Sequence, residues 1–425
     1  MNAIFNSPKR ANGKEIQTCW YDYYAGYSYS FVRDFLSSLK LDENAIVLDP
    51  WNGSGATTYT ALIEGYQSIG VDLNPVMKII STGKLANHNQ INSAKRLCGY
   101  LRNKSRKKYI SSNDYLLLWF HEDTANYIRY IDSYLYKHSK IDFNFKIENI
   151  NIIQSIIYLA LFNIIRKYLS KFIPSNPTWI KSKIDQKEKI YISEIKIKKL
   201  LLSFLEEKSL LAKSIKYPLD LNKAKIIHAT ATQLPINNDS IDAIITSPPY
   251  CTRIDYGVAT LPELAVIIGY DPTRIDSIRR SLTGRTTIDK NLLLSPLNIG
   301  EVGLTFLKSV KTHHSVASAG YYYKNYYQYF SDVSCTIKEI NRVLKNEGFF
   351  GCVVQDSFYK EVYCNLSQII IDMAEINGLK LINRQDFCSK NNMANINKRS
   401  KKYRKQTIAT ESVLLFKKGK DNGTY

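Results

Sequence analysis

The chain has 425 residues, 44% of them hydrophobic, which is enough for one large α/β domain with an insertion or for two domains. It carries 58 Lys and Arg against 38 Asp and Glu, a formal net charge of +20 at pH 7. That excess argues against an acidic, self-solvating chain and for a polyanionic partner, nucleic acid being the commonest. The seven cysteines show neither Cys-x-x-Cys nor Cys/His ligand spacing, so no metal site and no disulfide framework is expected. No charged-then-apolar leader opens the chain. The most apolar run, Ile152 to Ile165, is interrupted by Gln154 and Asn163 and reads as too short to span a bilayer. The expectation is a soluble cytoplasmic protein with no membrane partner.

In chain order, an aromatic cluster from Trp20 to Tyr27 precedes a helix, Ser28 to Leu39. Residues 45–85 read as β-turn-α-β-α: strand Ala45 to Leu48, a glycine turn, helix Ala56 to Glu64 stopped by Gly65, then strand Ser68 to Val71. Residues 100–215 change character, with amphipathic helical stretches near 114–137, 150–171 and 191–213 and little strand pattern. This region reads as a helical insertion. It contains a basic run, Arg102 to Lys108, and a probable loop, Pro174 to Trp179. The sheet resumes with Lys225 to Ala229 and Ile241 to Ile245. Residues 251–320 read as loop-rich and bear Arg253, Arg274, Arg279, Arg280 and Arg285. A helix from about Tyr326 to Leu344 leads to strands at Phe349 to Gln355, Leu379 to Ile382 and Ser412 to Phe416, with a second basic run, Lys398 to Lys405, between the last two. The expected division is 1–99 as the N-terminal half of one domain, 100–215 as the insertion, and 216–425 as the C-terminal half, with 251–325 a candidate target-recognition segment.

Two segments carry chemistry. Asp49-Pro50-Trp51-Asn52-Gly53-Ser54-Gly55 follows a buried strand and opens a helix, where backbone N–H groups point at a ligand. Gly53 and Gly55 let that ligand approach closely. A dinucleotide site would want a third small residue at Thr58, and a P-loop would want a lysine, so a different ligand is indicated. Asp72, ending the next strand, suits two ribose hydroxyls, and Asp49 suits an ammonium group. Ammonium, carboxylate and ribose in one molecule describe S-adenosylmethionine. The second segment is Ser247-Pro248-Pro249-Tyr250, also at a strand end.

Together these segments resemble the DNA amino-methyltransferases, which modify exocyclic nitrogens of DNA bases. The first is similar to their Asp-Pro-Phe-x-Gly-Ser-Gly cofactor motif, with Trp51 for Phe. The second is similar to their catalytic motif in the Ser-Pro-Pro-Tyr form, which leans toward cytosine N4 over adenine N6. Arg342-Val343-Leu344-Lys345-Asn346-Glu347-Gly348 is similar to the Arg-Val-Leu-Lys-Pro-Gly-Gly turn of class I methyltransferases. The resemblance covers 20–85 and 225–417. It implies a Rossmann-like α/β fold, a mostly parallel seven-stranded sheet with an antiparallel last strand, and S-adenosylmethionine held by Asp49, Pro50, Trp51, Gly53, Gly55 and Asp72. Where the family often has an acidic residue, this chain has Thr230, so Thr230 or Gln233 becomes the candidate for the adenine side.

The resemblance also gives the second motif its chemistry. An exocyclic amine is a poor nucleophile because its lone pair is delocalised into the ring. Acceptors at Ser247 and the Pro248 carbonyl would pull it toward tetrahedral geometry, the prolines stiffen the backbone and remove competing donors, and Tyr250 can stack on the base. The base must first leave the duplex. Arg274, Arg279, Arg280 and Arg285 are the candidates for contacting DNA.

Alternatives stay open at this stage. Cys251, one residue past the motif, would serve as a nucleophile in cytosine C5 chemistry, but Tyr250 intervenes in the usual Pro-Cys. Adjacent His313 and His314 read as solvated. A tRNA guanine-N2 methyltransferase and a catalytically silent, cofactor-sensing DNA-binding protein are the other functional readings. A cognate restriction nuclease or a defence partner is possible.

Overall fold

Seven strands form one sheet: β1 (Ile46–Asp49), β2 (Gln67–Asp72), β3 (Ala224–His228), β4 (Ile241–Thr246), β5 (Leu344–Gln355), then, after a hairpin of β6 (Ser357–Tyr359) and β7 (Val362–Cys364), β8 (Leu379–Ser389) and β9 (Ala409–Lys418). The computed structural model describes residues 6–8, 20–21, 26–136, 147–174, 179–181, 185–214, 219–251, 254–269, 271–289, 292–389 and 409–419. Arg253 and the basic run Lys398 to Lys405 lie outside the described residues. The sheet order is β3-β2-β1-β4-β5-β9-β8. The first five strands pair in parallel, and β9 runs antiparallel to both β5 and β8. This is the mostly parallel seven-stranded sheet that the resemblance to class I methyltransferases implies. The order reverses between β1 and β4, so the crevice for a ligand lies at their C-terminal ends.

Near-continuous apolar runs suit strands covered on both faces. Ala243 and Ile245 of β4, Val353 of β5, and Val413 and Leu415 of β9 pack with α1 (Tyr29–Leu39) and α2 (Ala56–Ile63). Their alternates Ile244, Cys352, Val354, Leu414 and Phe416 face the other layer. Ser28 caps α1, its hydroxyl accepting from the Phe31 amide at 3.1 Å. At Gly351 a Cβ would lie 2.2 Å from the Phe35 ring, so the bare backbone there is what lets α1 lie flat on β5. Glu347 stands where the class I turn has glycine and takes φ +65°, at a cost of about 1 kcal/mol.

Beyond the sheet lies a helical layer: α3 (Pro75–Lys84), α4 (His88–Gly99), α5 (Glu122–Leu135), α6 (Ile152–Leu169) and α7 (Glu194–Ser214). Its core also takes in Leu261 to Ile267, so the layer packs continuously onto the half of the chain that follows β4. Two buried ion pairs fasten it there. Arg129 of α5 pairs with Asp114 at 2.5 Å and donates to the Ala265 and Val266 carbonyls. Arg166 of α6 pairs with Glu263 at 2.5 Å, and Glu263 also accepts from Tyr21 at 2.8 Å. The stretch Ile152–Phe172 runs for 21 residues, longer than the apolar run in the sequence suggests, and by length and hydropathy it matches a membrane span. It differs in burial: Ile156 to Phe162 are all within the helical core.

The expectation of a loop-rich 251–320 is corrected. Four helices occupy it: α8 (Tyr256–Ala259), α9 (Leu261–Ile268), α10 (Pro272–Ser281) and α11 (Gly300–Thr312). In α9, Leu261 to Ile267 are all buried, so it lacks the polar face that would reveal helical periodicity. A separate cluster, α11 with α12 (Tyr323–Val343) and α13 (Leu366–Ile376), packs against the sheet.

Candidate active site

At the C-terminal ends of β1 and β4 lies an open cleft of about 110 Å³. Its walls bring together Asp49 to Ser54, Asp72 to Asn74, Thr230 and Ala231, and Ser247 to Tyr250. Most of the residues singled out in the sequence therefore meet in one place, although about 200 positions separate the two motifs. Gly26 and Tyr27 of the N-terminal segment also reach this cleft, as do Met77, Tyr256, Leu282 and Thr283.

Asp49 is buried, and its two oxygens accept four donors. Thr246 Oγ1 at 2.6 Å and the Trp51 amide at 3.1 Å reach Oδ1; Thr57 Oγ1 at 2.7 Å and the Tyr27 hydroxyl at 3.0 Å reach Oδ2. One carboxylate thus pins the N-terminal segment, the glycine turn and the end of β4 together. Burial raises its pKa above the ordinary carboxylate value, against the pull of these hydrogen bonds. Lys84, buried, donates from Nζ to the Ser54 carbonyl at 2.8 Å and braces the same turn.

Asp72 retains acceptor capacity. Its oxygens take the Gly53 amide at 2.8 Å and the Asn74 amide at 2.8 Å, one each. Burial pushes its pKa up to about 6, partly offset by those two amides, with the nearby Asp49 charge adding to the rise. Gly55, a candidate for the cofactor, is not among the residues that line the cleft. It takes φ +83°, and a Cβ there would lie 2.9 Å from Ser81 Cβ, so its small size serves the packing of α2 on α3. Thr230 lines the cleft with its hydroxyl 2.8 Å from that of Thr232, whereas Gln233 is exposed outside it.

The catalytic-type motif is held by two tyrosines that no sequence motif singles out. Tyr256 Oη accepts from the Tyr250 amide at 3.1 Å, and Tyr329 of α12 donates to the Pro249 carbonyl at 2.9 Å. Among the described residues, neither the Ser247 hydroxyl nor the Pro248 carbonyl has a hydrogen-bond partner. The motif therefore offers two adjacent unclaimed acceptors on a backbone fixed from both sides. Burial raises the Tyr250 pKa to about 12, so the ring is neutral at pH 7. Cys251 is buried beside Cys364, and burial drives its pKa well above the ordinary thiol value. A protonated, enclosed thiol is no nucleophile.

A lip formed by residues 282–289 crosses the motif. Gly284 lies against Pro249, and α12 ties the lip down through Asn325 to the Arg285 carbonyl at 2.8 Å and Gln328 to the Thr287 carbonyl at 3.1 Å. Thr283 is the polar side chain this lip brings to the cleft. The arginine expectation is corrected in part. Arg285 pairs with Asp332 at 2.5 Å and is 12% exposed; Arg279 pairs with Asp255 at 2.7 Å. Both position the lip and α8. Arg280 is exposed, paired with Asp276 one helical turn away, and Arg274 lies 3.6 Å from Asp271. His313 is not solvated as expected: its side chain is 5% exposed and meets Glu361 at 2.8 Å.

The donor set fits S-adenosylmethionine. Asp72 has lone pairs left for hydroxyls, Leu73 and Met77 offer an apolar surface, and the Ser247–Tyr250 motif lines the same cleft.

Residues 241–425 match the DNA methylase family. The chain is 27% identical over 308 residues to the type II methyltransferase M.BsoBI of Geobacillus stearothermophilus, covering 67% of this chain and 59% of that one. It is 22% identical over 401 residues to the type II methyltransferase M.AvaI of Nostoc sp. PCC 7120, covering 88% and 81%. The chain thus spans about three fifths of the first relative's length. Among solved structures it is similar to a SAM-dependent methyltransferase from Methanosarcina mazei, at 9% identity and a TM-score of 0.31, covering 90% of this chain and 97% of that one. Both motifs thus lie in one cleft, and the chain is similar to the DNA methylase family over residues 241–425 and to type II methyltransferases over a longer stretch.

Proposed function

We propose that this protein transfers a methyl group to an exocyclic amine of a base in DNA, cytosine N4 first and adenine N6 next, at a specific site. The observation that carries the reading is the pair of unclaimed acceptors, Ser247 Oγ and the Pro248 carbonyl, in the same cleft as Asp72. Two N–H groups of an amine suit two such acceptors. Held this way the nitrogen is drawn out of conjugation and its lone pair turns toward the cofactor side. S-adenosylmethionine, when bound, supplies the electrophilic methyl group. Asp72 accepts hydrogen bonds from ribose hydroxyls, and Thr230 lies on the adenine side. Tyr250, neutral, stacks on the base. Tyr256 and Tyr329 keep the motif from relaxing away from the reacting atoms, which must come within roughly 3–3.5 Å.

The target amine is inaccessible to in-line attack inside a duplex, so the base is flipped into the cleft. Segment 251–325 supplies recognition, with Thr283 on the lip and Arg274 and Arg280 on α10 toward the DNA. The relatives' description as type II methyltransferases supports a role in restriction–modification, and a cytoplasmic location goes with that proposal. The test is to incubate the protein with labelled S-adenosylmethionine and unmethylated plasmid DNA, digest to nucleosides and identify them by mass spectrometry. N4-methylcytosine is expected. N6-methyladenine would change the base, and no methylated nucleoside from a cofactor-binding preparation would overturn the reading.

A further inference from the structure

Residues 101–110 connect α4 to the turn before α5 and carry five cations in seven positions, Arg102 to Lys108. In water such a run repels itself and is ordinarily disordered. Here its backbone is strapped to two helices of the core. Tyr127 donates to the Arg102 carbonyl at 2.7 Å, and Tyr130 accepts from the Arg102 amide at 3.0 Å. Asn126 accepts from the Tyr109 amide at 2.6 Å and donates to Ser105 Oγ at 3.0 Å and the Lys107 carbonyl at 3.1 Å. From α7, Glu194 accepts from the Ser105 amide at 3.1 Å, and Lys198 reaches the Leu101 carbonyl. The straps hold the main chain and leave the cationic heads outward. Arg102, Lys104, Arg106 and Lys107 are exposed and have no carboxylate partner among the described residues; Lys108 meets Glu122 at 2.6 Å. Arg102 to Arg106 border an open concavity.

Tyr115, seven positions beyond Lys108, lies in the neighbourhood of Arg279. Arg279 packs over Gly257, next to the Tyr256 that holds the catalytic motif. The cations of 102–108 are not interleaved with aromatic side chains, Tyr100 and Tyr109 standing only at the ends of the run, whereas surfaces that grip single strands interleave cations with stacking rings. Cations without rings, on a fixed backbone, match phosphates rather than bases.

We propose that the 102–108 loop is a preformed clamp for the phosphate backbone of duplex DNA, outside the cleft, holding the duplex while the target base occupies the active site. This rests on the DNA reading above. The test uses the full chain with Arg102→Ala, Lys104→Ala, Arg106→Ala and Lys107→Ala combined, and a fluorescent duplex followed by anisotropy across a salt series. The plot of log affinity against log salt should flatten by about 0.9 for each phosphate no longer neutralised, two to four in all. At low salt, affinity should fall at least about tenfold while S-adenosylmethionine binding and the thermal midpoint stay at wild-type values. A control with Lys104→Arg and Lys107→Arg keeps the charge and should bind as wild type. If the wild type binds duplex and the alanine variant matches it in affinity and slope, the clamp is overturned and the DNA reading stands. If the wild type binds no duplex even at low salt, the DNA reading itself falls.

Discussion

The two motifs of the cleft use their polar atoms in opposite ways. In the segment after β1, the carboxylate of Asp49 is occupied by four donors, the Ser54 carbonyl by Lys84, and the Gly53 amide by Asp72. In the segment after β4, the outer groups are clamped by Tyr256 and Tyr329, and the Ser247 hydroxyl and Pro248 carbonyl are left open. The first motif is a shape, built so that a ligand meets a fixed surface; the second is a pair of reactive acceptors. The difference teaches that a motif residue's burial and hydrogen bonds decide whether it contacts a ligand or builds the wall. Asp49, the residue best suited on sequence to face an ammonium group, is the more deeply committed to structure.

The largest effect should come from the open pair. Ser247→Ala with Tyr250→Ala should abolish methyl transfer, while cofactor affinity by calorimetry stays within about twofold. Ser247→Ala alone should lower kcat about a hundredfold, the scale on which one positioned polar contact acts in a transition state. Full activity in the double variant would break the comparison at its catalytic end. Next comes the wall. Asp49→Ala strands three buried hydroxyls and an amide, and should lower unfolding stability by about 3 kcal/mol in a denaturant titration. Unchanged stability with lost cofactor binding would instead make Asp49 a ligand contact, and the two motifs would no longer differ in kind.

What the sequence disclosed follows the same division. The strand, glycine turn and helix from 45 to 64 and the strand before Ser247 were legible because apolar runs end in Gly and Pro punctuation. The arrival of Asp72 at the cleft was legible from its place at a strand end. Tyr329 was not, since it lies 80 residues beyond the Pro249 carbonyl it holds and no local pattern marks it. The same holds for Tyr27 on Asp49 and for Lys84 under the Ser54 carbonyl. Arg279 and Arg285 looked like free cations because their partners, Asp255 and Asp332, stand 24 and 47 positions away. The buried helix α9 escaped because no face of it is polar.

The third test separates ligand contact from wall by pH. Burial pushes the Asp72 pKa up to about 6. Only its ionised form can accept from the two amides and from ligand hydroxyls together. Cofactor affinity should therefore be full above about pH 6 and fall up to tenfold per unit below it, as protons compete for the carboxylate. For folding the sign is opposite. A folded-state pKa raised above the unfolded value favours folding at low pH, and that contribution is lost as pH rises through about 6. Asp72→Asn should weaken binding at pH 7.5 and flatten the profile, read by calorimetry across the range. A profile in the variant as steep as in the wild type would assign the pH dependence to another group.

The smallest effect should come from the residue that looks most reactive. Cys251 directly follows Tyr250, and a thiolate there would imply attack on a ring carbon and a covalent intermediate. Its thiol is enclosed beside Cys364 and kept protonated by burial, so it has neither the charge nor the access such attack needs. The amine route needs no protein nucleophile, since the base itself attacks once its lone pair is freed. Cys251→Ala should therefore keep kcat within about twofold. It should lose about 1 kcal/mol of stability from the small void left against Cys364. Thiol-directed reagents should leave the folded wild type active. A hundredfold loss of turnover at unchanged stability would move the chemistry from the Ser247–Pro248 acceptors to the thiol.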